Sequence, residues 1–254
     1  MDSKVEEDLK RDGFTKVEDI LSENELLQLR DAIDPLIYGD VDTSNHRSDL
    51  AASLPKGNSK FENVTQVMWP SEYTPGLRSS PLYLRAEELA KLWLGNDMAF
   101  DFDMIFFKAP NSAAPTPFHQ DIAYWPNLTD RRALSCWFAL DESSLDNGCM
   151  WFVPGSHLEP PRKHWVWDQK SKTLTCAGTE AEANPIPLKR GSCTFHFGET
   201  VHYSRGNTTE HERGALIINF RPHAMILEER RLGFDHGRTV NVRENRNVAT
   251  RAET

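Results

Sequence analysis

From residue 98 onward the chain changes its hydrophobic period, and no other feature constrains the fold as much. Short β-favouring runs follow one another there: AFDFDMIFFKA, ALSCWFAL, GCMWFVPG, GSCTFHF, TVHYS and ALIINFRP. Asp146-Asn147-Gly148, Pro154-Gly155 and Arg190-Gly191 separate them as turn signals. Many strands of similar length, with no helix interleaved, point to a β-sandwich or a jelly-roll barrel.

The first 97 residues read as mostly helical. Ser22-Glu23-Asn24-Glu25 has the form of a capping box. Leu26, Leu29, Ile33 and Leu36 then recur at helical spacing, and Pro35 is predicted to end that helix near Asp34. A second helix is signalled by Ser80 as N-cap, Pro81 at the first helical position and Gly95 past the last turn, with Leu82, Leu89, Leu92 and Trp93 as its apolar set. Residues 38–60 are polar and form a connection long enough to be a mobile loop or lid. Residues 237–254 read as a loosely held polar tail. No repeat or composition break divides the chain. One domain is expected over residues 1–254, with a helical part at 1–97, a jelly-roll core at 98–236 and the tail at 237–254.

Composition excludes several functions. Apolar residues make up 39%, which supports a packed core and excludes wholesale disorder. The 29 basic and 38 acidic residues leave a formal charge of −9, which argues against a nucleic-acid backbone as partner. No window approaches the roughly 18 apolar residues a membrane helix needs. The start, MDSKVEEDLKRDGF, lacks the apolar region of a secretory signal. Cys136, Cys149, Cys176 and Cys193 form no CxxC pair and read as reduced thiols of a cytoplasmic protein.

The chemistry lies in His119-Gln120-Asp121, His202 and Arg213. In extended backbone residues i and i+2 share a face, so His119 and Asp121 can aim at one point. A second imidazole, His202, would complete a set of two His and one carboxylate. Such a set leaves coordination positions open and suits a non-haem Fe(II) oxygenase. Taken alone, His-x-Asp is a weak signal. Arg213, eleven residues past His202 at the mouth of the apolar run GALIINF, strengthens it. A cation there is costly to bury without an anion, and a planar guanidinium suits a carboxylate.

The stretches FFKAPNSAAPTPFHQD, LSCWFALDESSLDNGCMWFVPGSH and GETVHYSRGNTTEHERGALIINFRP resemble the phytanoyl-CoA dioxygenase family of Fe(II)/2-oxoglutarate-dependent oxygenases. The opening DGFTKVEDILSENELLQLRDAID is similar as well. The resemblance implies a mainly β protein with flanking helices around a double-stranded β-helix, the jelly-roll or cupin-like core. It implies Fe(II) on His119, Asp121 and His202, with dioxygen and 2-oxoglutarate as co-substrates. Arg213 and Ser204 would take the far carboxylate of 2-oxoglutarate, Trp137 would lie beside it, Gln66 would contact it, and Lys108 matches a recurrent family lysine. Related halogenases have a small residue in place of the aspartate, so Asp121 favours hydroxylation-type chemistry.

Tyr124, Trp125, Met150 and Phe152 follow the metal motif or lie on a strand near the expected mouth, and Trp69 precedes the second helix. They read as an apolar substrate wall or as core. His157 reads as structural and His196 as packed, while His211, His223 and His236 lack a partner at ligand spacing. The expected substrate is a small, largely apolar metabolite of specialised metabolism. The alternatives are an acyl-CoA 2-hydroxylase, a redox-neutral cupin-like metalloprotein or a metal-free binding jelly roll.

Overall fold

A computed structural model of the protein describes residues 3–56 and 60–239. The N-terminal third alternates helix and strand: α1 (Ser3–Asp12), β1 (Phe14–Val17), α2 (Glu23–Tyr38), β2 (Arg47–Asp49), β3 (Val64–Met68), the single turn α3 (Pro70–Tyr73) and α4 (Pro81–Leu94). Then come β4 (Met98–Lys108), β5 (Thr116–His119), β6 (Leu134–Ala139), β7 (Met150–Phe152), β8 (His164–Asp168), β9 (Thr173–Cys176), β10 (Asn184–Ile186), β11 (Cys193–Phe197), β12 (His202–Ser204) and β13 (Arg213–Pro222), followed by α5 (His223–Arg231).

Ten of these strands and β10 build two antiparallel sheets, ordered β1-β11-β6-β13-β4-β3-β2 and β10-β7-β12-β5, while β8 and β9 pair separately. The result is the cupin-like jelly roll expected. Strand alternation places its layers. Ile105, Phe107, Cys136, Phe138, Leu216 and Ile218 point outward and pack under α2 and α4. Their neighbours Met104, Phe106, Trp137, Ala139, Ala215 and Ile217 point inward and meet Met150 and Phe152 of the smaller sheet. Each large side chain buried in this way contributes about 1.5–3 kcal/mol.

Several expectations need correction. α2 runs through Pro35 to Tyr38, and Gly39 ends it in the left-handed region with its N–H donated to Pro35 O. Leu36 and Ile37 are buried in the helix–sheet core, and that burial offsets the backbone bond Pro35 cannot make. In α4, Leu82, Leu89 and Trp93 are buried, but Leu92 faces solvent. The nominally helical third supplies three strands to the larger sheet. Part of the 38–60 connection is β2; beyond it Leu50 and Ala51 are buried, and Asp168 accepts from both Ser53 N and Ser53 Oγ. At the start of the supposed tail, Asp235 accepts from the N–H groups of Gly237, Arg238 and Thr239. Residues 240–254 lie outside the described residues.

Candidate active site

His119 ends β5 and Asp121 opens a short 3₁₀ turn, with Gln120 extended between them (φ −120°, ψ 133°). Buried Gln120 is locked on both sides: its amide donates to Glu199 O, and its carbonyl oxygen accepts from Arg162 N. His202 sits directly opposite His119 in the β12–β5 ladder, where the register shifts before Ser204. One ligand atom from each of His119, Asp121 and His202 lies within 4.8 Å of the others.

The backbone sets the tautomers. His119 Nδ1 is 2.8 Å from Pro117 O and His202 Nδ1 is 2.9 Å from Thr200 O. A carbonyl only accepts, so each Nδ1 carries its hydrogen and each Nε2 offers a lone pair. Burial, with His119 nearby, pushes His202 well below the usual imidazole range and keeps it neutral. Burial would raise the Asp121 carboxyl, but His202, His196 and His119 outweigh it and hold the group well below the carboxylate range. Two neutral nitrogens and one carboxylate oxygen form a donor set that fits Fe(II).

Arg213 is fully buried at the start of β13. Its Nη2 donates to Gly148 O at 3.0 Å, and its guanidinium lies over Trp137 at 5.1 Å. Nη1 has no partner, and no carboxylate pairs with this cation among the described residues. Burial pushes the group down to about 10. An orphaned donor on an unpaired buried cation, in the same cavity as the triad, fits the carboxylate of 2-oxoglutarate.

The cavity is about 1030 Å³ including its open mouth, and Gln66, Ser204, Trp137, Tyr124, Trp125 and Met150 line it. Three candidates do not. Lys108 is buried with its ammonium donating to Ala114 O and Arg205 O, where it braces two loops. Phe152 stacks on Phe14 at 4.7 Å, behind the histidines. Trp69 lies behind the wall and donates Nε1–H to His236 O. Alternation explains Phe152: Met150 and Phe152 share a face, but the cavity ends before Phe152.

Other residues at the site were missed. Met68, Phe102, Met104, Phe106 and Phe234 line the cavity, as do His196 and His236. The run Phe102, Met104, Phe106 has the period-two spacing of one strand face, a signal obscured where Ile105 and Phe107 make the opposite face of β4 apolar too. His236 does have partners: its Nε2 is 3.3 Å from Asp101 Oδ2 and 3.4 Å from Glu229 Oε2. These three also cluster at metal-binding distance. Arg221 pairs with Glu229 and Arg230 with Asp101, so both acids are already neutralised. The cluster fastens His236 against Phe102, with ring centroids 3.8 Å apart, and so fixes one wall.

A jelly roll that gathers such donors beside an unpaired arginine has the side chains that a non-haem Fe(II)/2-oxoglutarate-dependent dioxygenase requires. The chain belongs to the phytanoyl-CoA dioxygenase (PhyH) family, whose model matches residues 9–215. Phytanoyl-CoA dioxygenase domain-containing protein 1 of Mus musculus is 31% identical over 123 residues, which is 46% of this chain and 42% of that protein. The match therefore spans less than half the length of that relative. The solved structure of EvdO2 from Micromonospora carbonacea var. aurantiaca, complexed with 2-oxoglutarate, is 27% identical with a TM-score of 0.73, covering 87% of this chain and 90% of that one. SnoK, a non-heme alpha ketoglutarate dependent carbocyclase from nogalamycin biosynthesis, shares the fold at 22% identity and a TM-score of 0.68, over 87% of this chain and 83% of its own.

Proposed function

We propose that the protein oxidises an unactivated C–H bond of a small, largely apolar metabolite of specialised metabolism, by hydroxylation or by desaturation or ring closure. His119, Asp121 and His202 hold Fe(II), and Arg213 holds the far carboxylate of 2-oxoglutarate with Ser204, Trp137 and Gln66 around it. The observation that carries this reading is the wall facing the triad, where Met68, Phe102, Met104, Phe106, Trp125 and Phe234 line the cavity.

When bound, iron and 2-oxoglutarate supply the oxidant, consuming dioxygen and releasing succinate and carbon dioxide. The chain's own part is positional. The carbonyl contacts fix the two imidazoles with Nε2 turned toward the metal, the guanidinium orients the keto-acid, and the apolar wall holds a C–H bond near the metal in a poorly hydrated space.

An acyl-CoA would need a basic dock for its phosphates. Arg162 is instead engaged by Glu182 and Ala177 O, and Lys170 Nζ contacts Ala52 O. The setting of SnoK in nogalamycin biosynthesis supports specialised metabolism by analogy. A reducing, cytoplasmic location fits four buried cysteines that are all free. No helix among the described residues is long and apolar enough to cross a membrane.

The test is succinate release across a panel of free metabolites and acyl-CoAs, with mass detection of products. The expected result is turnover of free, apolar ring-bearing compounds that gain one oxygen or lose two hydrogens. Turnover confined to acyl-CoAs would overturn the substrate assignment.

A further inference from the structure

Asp121 gives its two oxygens to different partners. Oδ1 lies 3.7 Å from His119 Nε2 and 3.6 Å from His202 Nε2, on the triad side. Oδ2 lies 2.8 Å from Ser135 Oγ and 3.3 Å from His196 Nε2. Ser135 and His196 face each other in the β11–β6 ladder, so the two sheet positions converge on one carboxylate oxygen.

The hydrogens can be assigned. Ser135 Oγ is also 2.8 Å from Asn219 Oδ1, but a hydroxyl has one hydrogen for two acceptors. Asn219 Nδ2 is meanwhile buried with no partner. Exchanging N and O of that amide, which are nearly identical in shape, resolves both conflicts. Asn219 then donates to Ser135 Oγ, and Ser135 donates to Asp121 Oδ2. His196 is 98% buried and neither ring nitrogen completes a hydrogen bond, but Nε2 lies 3.3 Å from Asp121 Oδ2, an oxygen that only accepts, so Nε2 is the nitrogen that carries the hydrogen.

We propose that His196 and Ser135, the latter backed by Asn219, are positioning residues that keep Asp121 a one-oxygen metal ligand. Three ligand atoms leave three of six positions on an octahedral ion, which a chelating keto-acid and dioxygen together need. If Oδ2 swung toward the metal it would occupy the last of these. That swing would strand the buried Ser135 hydroxyl and take from His196 Nε2 the one carboxylate oxygen it faces, so the protein interior opposes it. The inference rests on Asp121 being a ligand, and the experiment separates the two claims.

The full chain is titrated with Co(II), and separately its anaerobic Fe(II)·2-oxoglutarate complex is titrated with nitric oxide, read by electron paramagnetic resonance. The variants are Ser135→Ala, His196→Phe, the double variant, His196→Gln and Asp121→Ala. We expect the double variant to bind Co(II) about 10–100-fold more weakly. Its nitric oxide signal should weaken at least as much while 2-oxoglutarate still binds. His196→Gln, which restores an N–H donor, should recover most of both. Wild-type Co(II) and nitric oxide binding in the double variant, with binding lost in Asp121→Ala, would overturn the positioning role alone. Undiminished Co(II) binding in Asp121→Ala would overturn the ligand assignment and the proposal with it. If the double variant does not fold, Ser135→Ala removes a single oxygen, and its binding decides the matter in the same way.

Discussion

Arg213 is the residue whose burial is hardest to account for without a ligand. Its charge has no carboxylate partner among the described residues, and one nitrogen of its planar head makes no hydrogen bond. Arg213→Lys keeps a cation but loses the fork. It should raise the KM for 2-oxoglutarate about 10–100-fold, the loss of one charge-assisted hydrogen bond worth about 1.5–3 kcal/mol. Co(II) affinity should stay unchanged, and an unchanged KM would remove Arg213 from the site. Phe152→Ala, by contrast, should cost about 3–5 kcal/mol of stability in denaturant unfolding, because Phe152 is core behind the histidines. The triad was legible because extended backbone brings i and i+2 to one side. His196 and His236 were not, since their acidic partners lie far away in sequence or across a sheet. A local reading cannot tell such a histidine from a packed one.

At the scale of the element, the turn before β7 carries a constraint that the site depends on. Gly148 has φ +87°, and a Cβ there would lie 2.5 Å from Arg205 O, a backbone atom that cannot easily move. Its carbonyl also receives Arg213. Gly148→Ala should therefore lower both the melting temperature and 2-oxoglutarate affinity; loss of neither would show that the turn is more pliable than its geometry implies. Pro35→Ala should raise stability by an amount on the order of 1 kcal/mol, because it restores a helix hydrogen bond inside α2. The six short β runs after residue 98 were legible from their composition and the turn signals between them. Strands β1 to β3 were not, because each is a few residues set between helices, without a β-rich run bounded by turn signals to mark it.

At the scale of the whole molecule, the chain's last described segment is fastened to the barrel by buried charges. Burial would raise Asp101, but His236, Arg230 and Arg221 bring it down to about 2. Burial would lower His236, but Asp101 and Glu229 raise it above its ordinary 6.5. The signs follow from linkage. Asp101 stabilises the fold above its ordinary 3.8, and that contribution is lost as pH falls toward 2. His236 stabilises fully below 6.5, and that contribution is lost as pH rises through its raised value. The melting temperature should thus decline on the alkaline side in the wild type, and His236→Gln should flatten that decline. Equal slopes in the two proteins would exclude His236 as the fastener.

The central claim is that one ferrous ion and one keto-acid share the space between His119, Asp121, His202 and Arg213. Anaerobic addition of Fe(II) and 2-oxoglutarate to the full chain tests it most directly. The account predicts a weak visible charge-transfer band that is absent in His202→Ala and needs more 2-oxoglutarate to develop in Arg213→Lys. A band of wild-type intensity in His202→Ala, or none in the wild type, would contradict it.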